Sequence, residues 1–279
     1  MAETIVYING EFVQINDAKV PFRDGGFQFG DGLFETIRFE NAQLFYADKH
    51  LHRLRNGLEI LDLKLEKPNA ELIEILQDII RQNRINSGLL RLMITRGEIT
   101  GTPWNYTGEP GIYISIRPIT PLIEKSVKVA YLKEINYPII RFTPAIKSMN
   151  YIGNMKAKKD AESQGAYEPI FYNRDGWITE CAIRNVFYIK NRVLLTPSLD
   201  LGVLPGVMRS TIINIALAMG LKVEESYILF ETINDMDEAF ISSTGIGLLP
   251  CYWDGWTSKN DITQKISTKL DKLIKQTCE

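Results

Sequence analysis

Glu180 is the side chain in this sequence that most needs a partner. It lies in Trp177-Ile178-Thr179-Glu180-Cys181-Ala182-Ile183-Arg184-Asn185-Val186-Phe187, beside a strongly apolar run. A carboxylate there loses several kcal/mol of hydration unless a cation or a protonated nitrogen meets it. A salt bridge to Arg184 or Arg209 satisfies it as well as a ligand does. A second feature is Leu204-Pro205-Gly206-Val207-Met208-Arg209-Ser210. A Pro-Gly turn delivers the chain into an apolar-periodic helix whose first N–H groups, at Val207 and Met208, have no intrahelical acceptor. Such a helix start is a ready phosphate site. A plain capped helix fits the same residues.

Other features exclude chemistry. The Gly-rich stretch 25–32 lacks Gly-x-x-x-x-Gly-Lys-Ser/Thr and runs into a strand rather than a helix, so it reads as a tight turn and not a nucleotide loop. His50 and His52 are the two histidines. On a helix they point about 200° apart, poorly placed to share one ion, and read as surface or half-buried side chains. Cys181, Cys251 and Cys278 are odd in number, scattered and without a Cys-x-x-Cys, which suits a reducing compartment and offers neither a disulfide framework nor a zinc site. With 32 Lys+Arg against 34 Asp+Glu, there is no electrostatic footprint for nucleic acid or an anionic membrane. The apolar stretch between Arg209 and Lys222 is too short to span a bilayer, and the N-terminus lacks the basic-then-apolar order of a secretory signal. A cytoplasmic protein with no metal is expected.

The elements that must position these residues fall into two groups. Residues 5–8 and 11–15 are β-rich and flank Asn9-Gly10, the signal of a type I′ hairpin. A strand is predicted over 33–39. A helix follows with Asp48 as N-cap and Leu51, Leu54, Leu58 and Leu61 as its stripe. A second helix covers 69–83, with Leu72, Ile73, Leu76, Ile79 and Ile80 on one face. Strands near 89–96 and 111–117 close this half, an α+β order. Pro118 and Pro121 punctuate the middle as a linker. Beyond it, strands are predicted near 127–132, 168–172, 184–189, 193–196 and 239–243, and helices near 150–164, 206–219 and 261–276. The expected organisation is a domain over 1–119, a linker over 120–127 and a second domain over 128–279.

Taken together, Glu180, Asn185-Val186-Phe187, Thr196 and Leu204-Pro205-Gly206-Val207-Met208-Arg209 resemble, in order and spacing, the signature of the fold-type IV pyridoxal-phosphate enzymes, also called class IV aminotransferases. That family includes branched-chain and D-amino-acid aminotransferases and aminodeoxychorismate lyase. Phe29-Gly30-Asp31-Gly32-Leu33-Phe34-Glu35 is similar to its N-terminal motif, and His52-Arg53-Leu54 to its phosphate-arginine segment. Ile146-Lys147-Ser148-Met149-Asn150-Tyr151 resembles its lysine segment, and Ser242-Ser243-Thr244 its last phosphate-side turn. The resemblance implies a smaller N-terminal α/β sandwich domain, a larger C-terminal pseudo-barrel domain and a homodimer with its site between the domains. It implies pyridoxal 5′-phosphate as cofactor. Lys147 is then the Schiff-base lysine and the base for the Cα proton. Glu180 faces the pyridine nitrogen, and Tyr151 meets the phenolic oxygen. Arg53, the N–H groups of Val207 and Met208, Ser243 and Thr244 hold the phosphate.

The reaction is less sharply drawn. D-amino-acid aminotransferases carry Arg-x-His after the Arg-Gly of the central strand, where this chain has Gly101 and Pro103 after Arg96-Gly97. The lyases show Arg-Gly-Tyr in that loop, where this chain reads Glu98-Ile99-Thr100-Gly101-Thr102-Pro103-Trp104. Gly30-Asp31-Gly32-Leu33-Phe34-Glu35-Thr36 and Thr179-Glu180-Cys181 are nevertheless lyase-like. Phe34, Arg38 and Arg91 are the candidate substrate residues, and exposed arginines fit the last two equally well. The reading favoured is an aminotransferase moving an amino group between an L-amino acid, aliphatic or branched-chain by preference, and a 2-oxo acid. The alternatives are an aminodeoxychorismate lyase, a D-amino-acid aminotransferase and a non-catalytic relative.

Overall fold

The computed structural model describes residues 4–105, 108–120 and 123–278. Two compact units divide the chain: Met1–Thr120 with Ile146–Asn150 and Ile274–Glu279, and Pro121–Ala145 with Tyr151–Leu273. Residues 121 and 122 of the expected linker lie outside the described residues. The α+β, two-domain expectation holds.

In the first unit the hairpin β1 (Ile5–Ile8) and β2 (Glu11–Gln14) turns through Asn9 and Gly10, both at positive φ, as a type I′ turn demands. The Gly-rich stretch departs from the sequence expectation. It forms a short helix, α1 (Gly25–Phe29), before β3 (Gly32–Glu40). Asp24 caps it, accepting from the N–H groups of Gly26 and Phe27 at 2.8 and 3.2 Å. That cap and the left-handed Gly30 at the other end offset the poor helix propensity of glycine. After β4 (Gln43–Leu44) comes α2 (Ala47–Ile60), whose N-cap is Tyr46 in the left-handed region, not Asp48. Asp48 sits in the first turn, where its charge still complements the helix dipole. Helix α3 (Asn69–Asn83), β5 (Gly88–Thr95) and β6 (Gly111–Pro118) follow.

Among the described residues, these strands form one sheet in the order β2-β1-β6-β5-β3-β4. Leu51, Leu54 and Leu58 of α2 pack on Leu33, Ile37 and Phe39 of β3, and Leu72, Ile75, Leu76, Ile79 and Ile80 of α3 join the same core over β1 and β6. Each such side chain, buried, contributes about 1.5–3 kcal/mol. Ile73 lies only partly buried on the flank, and Ile75 takes the core position beside Leu76.

The second unit carries β7 (Val127–Lys133), α4 (Ile152–Ser163), β8 (Glu168–Tyr172), β9 (Ile178–Cys181), β10 (Asn185–Lys190) and β11 (Val193–Pro197). They are followed by α5 (Val207–Ala218), β12 (Lys222–Ser226), β13 (Glu238–Ser243), β14 (Gly247–Tyr252) and α6 (Asp261–Thr277), the last running on into the first unit's terminal residues. Among the described residues, the strands form a sheet ordered β12-β11-β10-β13-β14-β7-β8-β9, which curls into a half-barrel. Strands β9, β12 and β14 were not separately predicted. The register sets Asn185 directly opposite Ser242.

Candidate active site

In the first unit, Lys147 is held by its backbone against the start of β3. The N–H of Phe34 donates to the carbonyl of Lys147, and that of Met149 to the carbonyl of Gly32, both at 3.0 Å. Asn150 fastens the segment by donating to the carbonyl of Gly30 at 3.0 Å. A Cβ at Gly32 would lie 2.6 Å from the carbonyl oxygen of Ile94 and 2.8 Å from Sδ of Met149. The close approach that seats Lys147 therefore requires glycine there. Nζ of Lys147 lies 4.7 Å from the centroid of the Phe34 ring, and the Arg91 guanidinium lies 3.9 Å from the same centroid. Arg38, the other candidate substrate residue, turns along its own strand and donates from Nε to Glu40 at 2.8 Å.

Arg53 lies on α2, facing β3. Both oxygens of Glu35 accept from it, Oε1 from Nε at 2.8 Å and Oε2 from Nη2 at 2.6 Å. Oε2 also lies 2.7 Å from Nδ1 of His50. Glu35 and His50 are both fully buried, which corrects the expected surface or half-buried position of His50. His52 lies exposed on the other side of the helix. Burial pushes the Glu35 carboxyl up, but Arg53 and His50 outweigh it and hold it at about 2. Burial pushes the His50 imidazole down against the pull of Glu35, so His50 is neutral near pH 7 and donates from Nδ1. Sequence reading missed Glu35 and His50 as the supports of Arg53. The signal was an acid on the core face of an alternating strand, between Leu33 and Ile37.

In the second unit, Glu180 is on β9. Neither arginine offered by the sequence is its partner. Arg184 pairs with Glu168, and Arg209 with Glu225 at 2.7 Å. The guanidinium at Glu180 belongs to Arg141, which donates from Nη1 to Oε1, while the N–H of Leu204 donates to Oε2 at 3.2 Å. Tyr151 is the N-cap residue of α4.

The signature residues around α5 form a brace. Asn185 donates to the carbonyl of Leu204 at 3.0 Å, holding the turn before the helix. A Cβ at Gly206 would lie 2.1 Å from Oδ1 of Asn185, so this position must be glycine for the turn to close. Thr196 donates to the carbonyl of Val186 at 3.0 Å, and Arg209 to the carbonyl of Pro197 at 2.9 Å. The helix that results starts at Val207 with no side-chain cap on its N-terminus. Ser242 faces Asn185 in the register, Ser243 ends β13 and Thr244 follows it. The hydroxyl of Ser242 is itself buried without a hydrogen-bond partner.

This donor set fits pyridoxal phosphate. An uncapped twelve-residue helix start beside hydroxyls suits a phosphate. Glu180 keeps acceptor capacity for a protonated ring nitrogen, because Arg141 and Leu204 together donate to it only twice. Among the described residues no group of His, Cys, Asp and Glu suits a metal, and no helix is long and apolar enough to cross a membrane. The three cysteines are free and buried.

The model of the amino-transferase class IV family matches residues 32–252. A Methanocaldococcus jannaschii protein, provisionally named a branched-chain-amino-acid aminotransferase, is 30% identical over 97% of this chain and 95% of its own length. A D-alanine aminotransferase of Listeria monocytogenes is 33% identical over 88% of this chain and 86% of its own. An aminodeoxychorismate lyase of Bacillus subtilis is 31% identical over 88% and 85%. Among solved structures, a branched-chain amino acid aminotransferase of Escherichia coli is 26% identical and superposes with a TM-score of 0.90, covering 99% of this chain and 96% of that one. The chain belongs to the class IV aminotransferase family, the fold-type IV enzymes that work with pyridoxal 5′-phosphate.

Proposed function

We propose that this enzyme is an aminotransferase acting between an aliphatic L-amino acid and a 2-oxo acid. The carrying observation is the Phe34 ring beside Nζ of Lys147, with the Arg91 guanidinium on the same ring. The buried Phe34 ring backs the reacting amine with an apolar wall, which favours an apolar side chain, and a cation there meets a carboxylate. The loop after Arg96-Gly97 supports the L configuration, since Gly101 and Pro103 stand where a D-specific enzyme has Arg-x-His.

Pyridoxal phosphate, when bound, supplies the electron sink for the pair left on Cα once its proton is removed. The residues divide the remaining work. Lys147 is the attachment lysine, and its Nζ takes the Cα proton and carries it. Glu180 faces the pyridine nitrogen and holds a proton there. Tyr151 donates to the phenolic oxygen. Arg53, the N–H groups of Val207 and Met208, and the hydroxyls of Ser243 and Thr244 bind the phosphate. Arg91 on β5 and Phe34 on β3 orient the substrate, with Arg38 further along β3.

L-leucine added to the pyridoxal form, then 2-oxoglutarate, tests this reading: the cofactor spectrum should change and revert, with glutamate formed. No reaction with any L-amino acid, together with pyruvate release from aminodeoxychorismate, would transfer the assignment to the lyase, which Gly30-Asp31-Gly32 and Thr179-Glu180-Cys181 resemble. We further infer a cytoplasmic homodimer. Phe22, Phe27 and Phe29, all exposed on the first unit, are the apolar surface that supports a dimer. A monomer by light scattering would contradict it.

A further inference from the structure

Arg141 is shared by two carboxylates, and they are not equal partners. Glu134, just after β7, takes the planar fork: its Oε1 accepts from Nε at 3.0 Å and its Oε2 from Nη2 at 2.7 Å. Thr179 closes that side by donating to Oε2 of Glu134 at 2.9 Å and accepting from Nη2 at 3.2 Å. Glu180 receives only Nη1, on one oxygen. The guanidinium stem is pinned as well. Gly202, at positive φ, leaves room for it, and a Cβ there would lie 3.2 Å from Cβ of Arg141. A two-point fork is the stronger form of this pairing. Glu134 thus engages Arg141 more fully than Glu180 does.

The charge count follows. One guanidinium and two carboxylates leave one negative charge, in a cluster whose side chains are each less than one-fifth exposed. Burial works against the Arg141 charge, but Glu180 and Glu134 outweigh it and raise its pKa, so it does not give up its proton to settle the imbalance. Among the described residues, Cys181, Glu168 and Arg184, the ionisable groups on and beside β9, do not settle it either. Cys181 is fully buried, and burial pushes its thiol up, so it is neutral. Glu168 and Arg184 face one another as a self-balanced pair.

We propose that Glu134 and Arg141 are positioning residues that leave the cluster holding Glu180 with one net negative charge and, through it, govern the protonation of the pyridine nitrogen. The inference rests on Glu180 facing that nitrogen. Were Arg141 paired with Glu180 alone, the two would neutralise each other and the ring nitrogen would be held by a weak acceptor. Glu134 occupies the fork and leaves one unit of negative charge for the ring N–H. A protonated ring nitrogen would bring the cluster to neutrality, and the Glu180 carboxylate that would accept from it is kept oriented by Nη1 and by the N–H of Leu204.

The two members of the pair have opposite predicted signs, which a merely structural role does not produce. Purified holoenzyme carrying cofactor labelled with 15N at the ring is titrated by NMR. Glu134→Gln should lower the midpoint at which the ring nitrogen loses its proton by about one pH unit or more, and Arg141→Gln should raise it by a similar amount. Wild-type protein is first reduced with borohydride. Absence of a trapped adduct would overturn the functional reading itself. An adduct with unmoved midpoints in both variants, or with both moved downward, would overturn only the charge-setting role. If Glu134→Gln does not fold, Arg141→Gln decides alone: an upward midpoint supports the proposal, and an unmoved or lowered one contradicts it.

Discussion

The two units each bury an arginine against carboxylate, but with opposite charge outcomes. In the first, one carboxylate, Glu35, meets one guanidinium, Arg53, and a neutral imidazole, His50, and these three hydrogen-bonded side chains sum to zero charge. In the second, Glu134 and Glu180 share Arg141, and the cluster stays one charge short of balance. A balanced buried cluster holds a side chain in place. An unbalanced one demands a further proton or cation, and that demand is chemistry. On the proposed reading, the difference separates a residue that anchors from one that tunes, although both are glutamates beside an arginine.

The comparison breaks first at Glu35. Glu35→Gln leaves the Arg53 charge without its counter-ion and should cost about 3–5 kcal/mol in denaturant unfolding. The pH dependence has a definite sign. Glu35 is depressed from 4.5 to about 2, so its stabilisation is fully present above pH 4.5 and fades as pH falls toward 2. The gap between wild type and variant should therefore narrow over that window. A gap that is constant with pH would mean that Glu35 is not the group responsible.

Glu180→Gln should behave the other way. Arg141 keeps its fork to Glu134 and no buried charge is left without a counter-ion, so the loss of stability should be well below that of Glu35→Gln. The rate should fall on the order of 10²-fold, since a neutral amide no longer holds the ring proton. Comparable losses of stability in Glu180→Gln and Glu35→Gln would dissolve the distinction. The two histidines of α2 differ in the same way, and the smallest effect is that of His52. His52→Ala should stay within about 0.5 kcal/mol, as an exposed residue does. His50→Ala should cost about 1–3 kcal/mol, because it strips a hydrogen bond from a buried carboxylate.

These clusters also mark where the sequence was legible. Periodicity exposed α2, α3, α5 and α6, because each carries a long apolar stripe, and Asn9-Gly10 exposed the first hairpin. The Gly-rich helix α1 was misread as a turn because its stability comes from Asp24, Thr95 and Tyr113 meeting one another: Thr95 and Tyr113 each donate to the Asp24 carboxylate at 2.7 Å, a tertiary arrangement no local pattern carries. His50 could have been placed. It stands four and eight residues before Leu54 and Leu58, on the buried stripe of α2. Arg141 could not. It lies 39 positions before Glu180, in a proline-containing loop with no periodicity, and only the folded chain joins them. Lys147 was legible only through resemblance, since nothing in its immediate spacing distinguishes it from a surface lysine.

Lys147 carries the proposed chemistry. Borohydride reduction of the pyridoxal-phosphate-loaded protein, followed by peptide mass analysis, reads it directly. The account predicts one cofactor adduct, on the peptide containing Lys147, and its loss when L-leucine is added before the reductant. An adduct on another lysine such as Lys156 or Lys158, or none at all, would contradict it.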